Sequence, residues 1–229
     1  MITRIARTAG FSGLLAALLL TLLQSFWISP LILEAETFES PAPAAQHEHG
    51  DSAVAAHEHS AEAWAPEDGW QRVVATTGGN LVVAVGFALM LAALYSLREP
   101  NRVATGALWG LAGFAVFCLA PTLGLPAELP GTAAADLGQR QIWWIGTAAA
   151  TAVGLGLIVF AQHWLLKVVG VLLLALPHVI GAPQPSVHES LAPEALASQF
   201  KIASWLTNAA FWIALGLLSA WLFRRSRQS

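Results

Sequence analysis

The sequence predicts an all-α, polytopic integral membrane protein, a bundle of transmembrane helices, and three observations carry that expectation. Of its 229 residues 56% are hydrophobic and only 11% charged, where an ordinary soluble domain has about 25% charged residues. Apolar runs long enough to cross a bilayer recur along the whole chain; a hydrocarbon core of about 30 Å needs about 20 apolar helical residues. The basic residues alternate between the connecting segments in the way that fixes orientation in a membrane.

Six runs qualify: residues 11–33, 73–97, 103–125, 142–161, 164–182 and 202–223. Only the fifth contains a charge, Lys167, whose long stem can carry the ammonium to the interface. The fourth and fifth are separated by Gln162 and His163 alone, which allows a tight hairpin; five spans is the alternative. The first run follows Arg4 and Arg7 as a secretory signal would. It is longer than a typical signal core, and Glu34, Glu36 and Glu39 stand between it and the nearest Ala-x-Ala pattern at Ala42, so it reads as a retained anchor.

Short loops rich in Lys and Arg stay in the cytoplasm. With the N-terminus inside, the inner segments hold Arg4, Arg7, Arg98, Arg102, Lys167, Arg224, Arg225 and Arg227, and the outer ones only Arg72, Arg140 and Lys201. Every acidic residue except Glu99 then lies outside. The expectation is therefore a multi-pass protein of the bacterial inner membrane with both termini cytoplasmic. With a formal net charge of −3 and the lipid bilayer as its main surroundings, no nucleic-acid partner is expected.

Residues 34–72 form the one long loop, placed on the outer face. Four of the seven histidines sit in it, in two His-Glu-His triplets ten residues apart, His47 with His49 and His57 with His59. Glu34, Glu36, Glu67 and Asp68 belong to the same segment. Its middle is rich in Ala, Pro, Ser and Gly and has too little apolar surface to bury a core. Imidazole and carboxylate are ligands for divalent transition metals, and alternation puts two imidazoles on one side of an extended chain. The duplicated triplet points to metal capture; a solvated polar linker is the plainer reading of either triplet alone. The single cysteine, Cys118, lies in a predicted span, which disfavours a thiolate site of the structural zinc type.

Polar and helix-breaking groups inside the spans are the second set of candidates. Gln24, Pro30, Gly78, Gly79, Asn80, Cys118, Pro121, Pro177, His178 and Asn208 all fall toward the outer side in this topology. At about 1.5 Å per residue, His178 lies roughly 6 Å and Asn80 roughly 10 Å below the outer edge, so a shared vestibule under the acidic loop is expected. Asn80 and Asn208 serve equally as interhelical hydrogen-bond donors. The Gly/Pro-broken stretch after His178 leads to His188 and Glu189. "RQIWW" reads as an interface anchor and Gly106 to Gly110 as a small-residue face for helix contact. No Walker A loop, dinucleotide fingerprint or nucleophile elbow is present, so no enzyme activity is expected.

Five stretches, "PLILEAETFE", "WAPEDGWQR", "LAPTLGLPAELPG", "RQIWWIGTAAATAVGLGL" and "LALPHVIGAPQP", together resemble the CbtA family of predicted cobalt transporter subunits over nearly the whole chain. The resemblance implies cobalt uptake linked to cobalamin synthesis and a small single-span CbtB-like partner. It carries Glu34, Glu36, Glu67, Asp68, Trp70, Pro121, Glu128, Pro130, Trp143, Trp144, Pro177, His178 and Pro183 as motif positions without giving them roles. The resulting expectation is a transporter of Co2+, with Ni2+ or Zn2+ as alternative substrates. Metal is collected at the outer face by the histidine loop and passed inward near Glu34, Glu36 and His178. The rival readings are an accessory that binds or senses metal without moving it, and an assembly protein with no metal.

Overall fold

In hydrocarbon each backbone N–H and C=O must find a partner within the protein, and a continuous helix does this within one segment. The computed structural model describes residues 1–39, 66 and 69–226. Its helices are α1 (Ile2–Glu36), α2 (Trp70–Leu97), α3 (Val103–Gly124), α4 (Leu137–Phe160), α5 (Trp164–Ile180) and α6 (Glu194–Arg225). All but α5 are long and apolar enough to cross a membrane. At 17 residues α5 measures about 25 Å, somewhat less than a full hydrocarbon core. Among the described residues the only strand-like pairing is the isolated bridge between Thr132 and Ser190.

Helices α1, α2, α4 and α6 begin before the apolar stretches that announce them. The first helix starts at Ile2 and continues through Glu34 to Glu36, and α6 starts at Glu194. Hydropathy marks only the part that meets lipid, whereas the extra turns are held by protein. Ala35, Leu129, Ala192, Leu196 and Phe200 form a small buried cluster that joins the end of α1, the α3–α4 connection and the start of α6.

Pro30 and Pro121 do not stop their helices. Each is preceded by a five-residue π-helical turn, Gln24–Ile28 in α1 and Ala115–Leu119 in α3. A proline ring presses on the carbonyl four residues back and removes a donor; widening the helix by one residue per turn relieves the clash while keeping the helix continuous.

The heaviest packing is α1 on α2, α3 on α6 and α4 on α5, with α1 also against α6. The bundle therefore runs in the order α2, α1, α6, α3, α4, α5, and α5 sits at one edge. The interior is built from small residues and a few aromatics: Ala9, Ala16 and Ala17 of α1 meet Ala84, Ala88 and Ala92 of α2, beside buried Phe211, Trp212 and Phe223 of α6. Leu18, Leu22, Val82, Leu108 and Leu172 point outward. This inverts the soluble pattern, because lipid tails are as apolar as leucine and close backbone approach supplies the attraction between helices. Ridge-to-backbone contact is tightest between α3 and α6, where a Cβ at Gly106 would stand 2.3 Å from the Gly216 carbonyl oxygen and one at Gly110 2.1 Å from that of Trp212.

The two ends differ in charge. At one end Arg4 Nε donates to the Phe223 carbonyl at 2.8 Å and its Nη2 meets Glu99 at 3.2 Å. Arg224 donates to the carbonyls of Pro100 and Asn101. The start of α1, the end of α6 and the α2–α3 connection thus share this end. Lys167, Arg98 and Arg102 belong to it as well, and Glu99 is its one carboxylate among the described residues. The opposite end carries Glu34, Glu36, Glu39, Glu128, Asp136, Glu189 and Glu194 against Arg72, Arg140 and Lys201.

Candidate functional site

The acidic end is where the sequence-derived candidates lie. The last turn of α1 sets Glu36 beside Arg72 in the first turn of α2, and the carboxylate accepts two N–H groups of the guanidinium at 2.7 and 3.5 Å. This fork holds the two ends of the 34–72 loop next to each other. Glu34, half a turn away, is exposed, as is Trp70, the first residue of α2. Glu128 makes the second ion pair, with Arg140 at 3.2 Å, which ties the α3–α4 connection to the start of α4. His47, His49, His57, His59, Glu67 and Asp68 lie outside the described residues.

One level deeper, Asn80 of α2 donates to Gln24 Oε1 at 2.7 Å and to Thr21 Oγ1 at 3.0 Å on α1. Gln24 opens the π turn, so this amide pair sits where the backbone of α1 is widest. Thr21 is the member that sequence reading missed; its signal would have been its position three residues before Gln24, on the same face.

Across the bundle, Trp143 of α4 donates from Nε1 to the carbonyl of Pro177 at 3.3 Å, and its ring stands edge-on to His178 with centroids 6.1 Å apart. That contact brings the end of α5 back to the level where α4 began, so the two helices form an antiparallel hairpin. Trp144 turns the other way, toward Phe117 of α3 at 6.3 Å. His178 itself is exposed, as is His188 in the segment that follows. Pro121 is buried under the second π turn. Beside it the Cys118 thiol donates to Asn208 Oδ1 at 3.7 Å, and the Asn208 amide donates to the Ser204 carbonyl at 2.9 Å. Thr122, one residue beyond Pro121, accepts from Trp205 Nε1 at 2.9 Å.

These residues share one end of the bundle but divide into two groups. Glu36, Arg72 and Asn80 belong to the α1–α2 side, Trp143, Pro177 and His178 to the α4–α5 edge. Among the described residues no three His, Cys, Asp or Glu side chains come together as a metal-holding group, so Glu34, Glu36 and His178 do not form one. Chemically, the α1–α2 side offers carboxylates and amides, hard oxygen donors suited to a hydrated divalent cation, and the α4–α5 edge offers imidazole.

The chain matches, over residues 2–224, the family described as "Probable cobalt transporter subunit (CbtA)". It belongs to the CbtA family. No curated protein and no solved structure matches it. Membership makes the CbtA-family chain a multi-pass membrane protein of metal-ion transport, and no enzyme. Being a subunit, it implies partner proteins, and the metal ion is its substrate. The resemblance found in the five sequence stretches and the family match agree over almost the whole chain.

Proposed function

We propose that this chain takes up divalent cobalt, collecting it at the acidic end of the bundle and releasing it at the arginine-rich end. The observation that carries the reading is the charge polarity along the bundle axis: among the described residues, seven carboxylates against three cations at one end and one carboxylate at the other. A basic end held in the cytoplasm follows the positive-inside rule and leaves the acidic end, with the loop that joins α1 to α2, facing outward. A cation is then drawn first to Glu34 and the histidine triplets. The Glu36–Arg72 fork anchors the loop about 12 Å above the Asn80, Gln24 and Thr21 cluster, and His178 and His188 serve the same face from the α4–α5 edge. A CbtB-like single-span protein is the partner this reading assigns, in the inner membrane of a bacterium and in the supply of cobalt to cobalamin synthesis.

Uptake of 57Co2+ by cells with and without the protein, with the single-span partner present, tests the reading. Equal uptake would refute it. Competition by Ni2+ and Zn2+ in the same assay separates the cobalt reading from its nearest alternatives. The division of the candidates between two edges supports a second reading, a subunit that binds metal and hands it to its partner. Metal binding by this chain alone, with uptake that it stimulates only when the partner is present, would favour that one.

A further inference from the structure

Where α1 begins and α6 ends, the two helices leave an open cleft of about 280 Å3 lined by Arg7, Thr8, Phe11, Trp221, Leu222 and Arg225, among others. Its polar and apolar groups are ordered by depth. On α1 the arginine precedes the aromatic by four residues, and on α6 it follows by four, so on both helices the cation lies nearer the end of the bundle. Four residues rise about 6 Å, which places a cationic rim about 6 Å outside an aromatic band. Phe11 and Trp221 are 58% and 42% exposed, the degree expected of side chains covered by lipid rather than by protein.

Of the polar groups of the cleft, the Ser226 hydroxyl is used internally, donating to the Leu222 carbonyl at 2.9 Å. Neither Arg7 nor Arg225 has a carboxylate partner among the described residues; Arg225 lies over the Trp221 ring, 5.4 Å from its centroid, and Glu99 is engaged by Arg4. At the floor, Thr8 is 1% exposed and its hydroxyl has no hydrogen-bond partner. Its oxygen has almost no accessible surface, so Thr8 closes the floor and the arginines carry the polar contacts of the cleft.

We propose that this cleft binds the phosphate of an anionic membrane phospholipid. The two guanidinium groups take the headgroup oxygens, as their planar forks do for phosphate generally, and the acyl chains run down past Phe11 and Trp221. Basic pockets between helices at the positively charged side of a membrane protein suit such headgroups. The depth order decides for a lipid over a soluble anion: a free phosphate satisfies the rim and leaves the aromatic band without a function. The bound lipid clasps the first turns of α1 to the last turns of α6. The inference does not rest on the metal reading.

Native mass spectrometry of the full-length protein released from neutral detergent tests it, with phosphatidylglycerol, phosphatidylcholine of the same acyl chains, and inorganic phosphate titrated separately. Phosphatidylglycerol should be retained in preference to phosphatidylcholine. Arg7→Gln and Arg225→Gln should each lower its affinity roughly fivefold and together roughly twenty-five-fold. Arg102→Gln, at the same end but outside the cleft, should leave it unchanged. Arg7→Lys with Arg225→Lys keeps both charges and should retain most of the binding, which decides the matter if the double glutamine variant fails to fold. Equal retention of the two lipids would overturn the proposal, and so would a loss in Arg102→Gln as large as in Arg7→Gln, which would mean a diffuse surface charge. Inorganic phosphate displacing phosphatidylglycerol at comparable concentration would make this a soluble-anion site and overturn it as well.

Discussion

The close backbone approach of α3 and α6 makes a quantitative prediction for Gly216→Ala. A Cβ at this position would fall 2.1 Å from the Gly106 carbonyl oxygen and 2.9 Å from the Gly110 amide nitrogen. Ordinary van der Waals contact begins near 3.4 Å, and both opposing atoms are backbone, so no side chain can swing aside. α3 and α6 must separate by about 1 Å. A gap of that size forfeits a quarter to a half of the dispersion energy of the atoms that face it, and hydrocarbon supplies no hydrophobic force to close it again. The same shift pulls on the hydrogen bond from Tyr95 Oη to the Gly216 carbonyl, 3.3 Å long, and on the stacked rings of Phe117 and Trp212, 5.6 Å apart. Overpacking of this kind costs about 3 kcal/mol, reduced by up to about 1 kcal/mol because alanine is the better helix former. The net expectation is a loss of about 2 kcal/mol in reversible unfolding of the purified protein from mixed micelles titrated with dodecyl sulfate. Gly86→Ala and Gly146→Ala, where an added Cβ meets nothing within 4 Å, should be neutral or slightly stabilising in the same titration. If Gly216→Ala unfolds at the same point as these two controls, backbone contact does not hold α3 to α6.

Three further outcomes follow from the acidic end. Asn80→Leu, which removes the donors to Gln24 and Thr21, should cost about 1 kcal/mol in the same unfolding titration and lower 57Co2+ uptake. Combining Glu36→Gln and Arg72→Gln in a double-mutant cycle should give a stability coupling of less than about 1 kcal/mol, because both side chains are about one-third exposed and solvent screens the pair. The larger effect should be on uptake, and the charge-swapped pair Glu36→Arg with Arg72→Glu should recover part of it. Replacing His47, His49, His57 and His59 with Ala should weaken Co2+ binding measured by calorimetry on the whole protein. In the unsubstituted protein that binding should fall as the pH drops below about 6.5, since a protonated imidazole is no ligand; binding that is constant from pH 7.5 to 5.5 would remove the triplets from the capture site.

Each apolar run lies in a helix to within two residues at its end, and the hairpin allowed by Gln162 and His163 is present between α4 and α5. The Gly106–Gly110 face lies in a helix contact, as the small-residue spacing suggests. Pro30 and Pro121, read as helix breakers, sit in continuous helices, because a π turn absorbs the clash and sequence patterns do not register that alternative. Asn80 was legible as a polar group in a span, but its partners were not: whether it meets Thr21 and Gln24 or another helix depends on how α2 is rotated about its own axis. The placing of Glu36 is of the same kind, since its partner Arg72 lies at the far end of a long connection.

What the sequence by itself determined is the set of helices and the polarity of charge between the two ends. Both are sums of local terms: transfer of a side chain into hydrocarbon depends on the residue and its near neighbours, and so does the excess of Arg and Lys in a short loop. Which helix lies beside which was decided only by the tertiary structure. In lipid, one leucine-covered face is as good as another, so neighbours are selected by a few backbone approaches at glycine and a few amide and indole hydrogen bonds, each requiring two segments distant in the chain. That selection puts His178 on the α4–α5 edge and Glu36 on the α1–α2 side. It also sets Arg7 and Arg225, 218 positions apart in the sequence, on the two walls of one cleft.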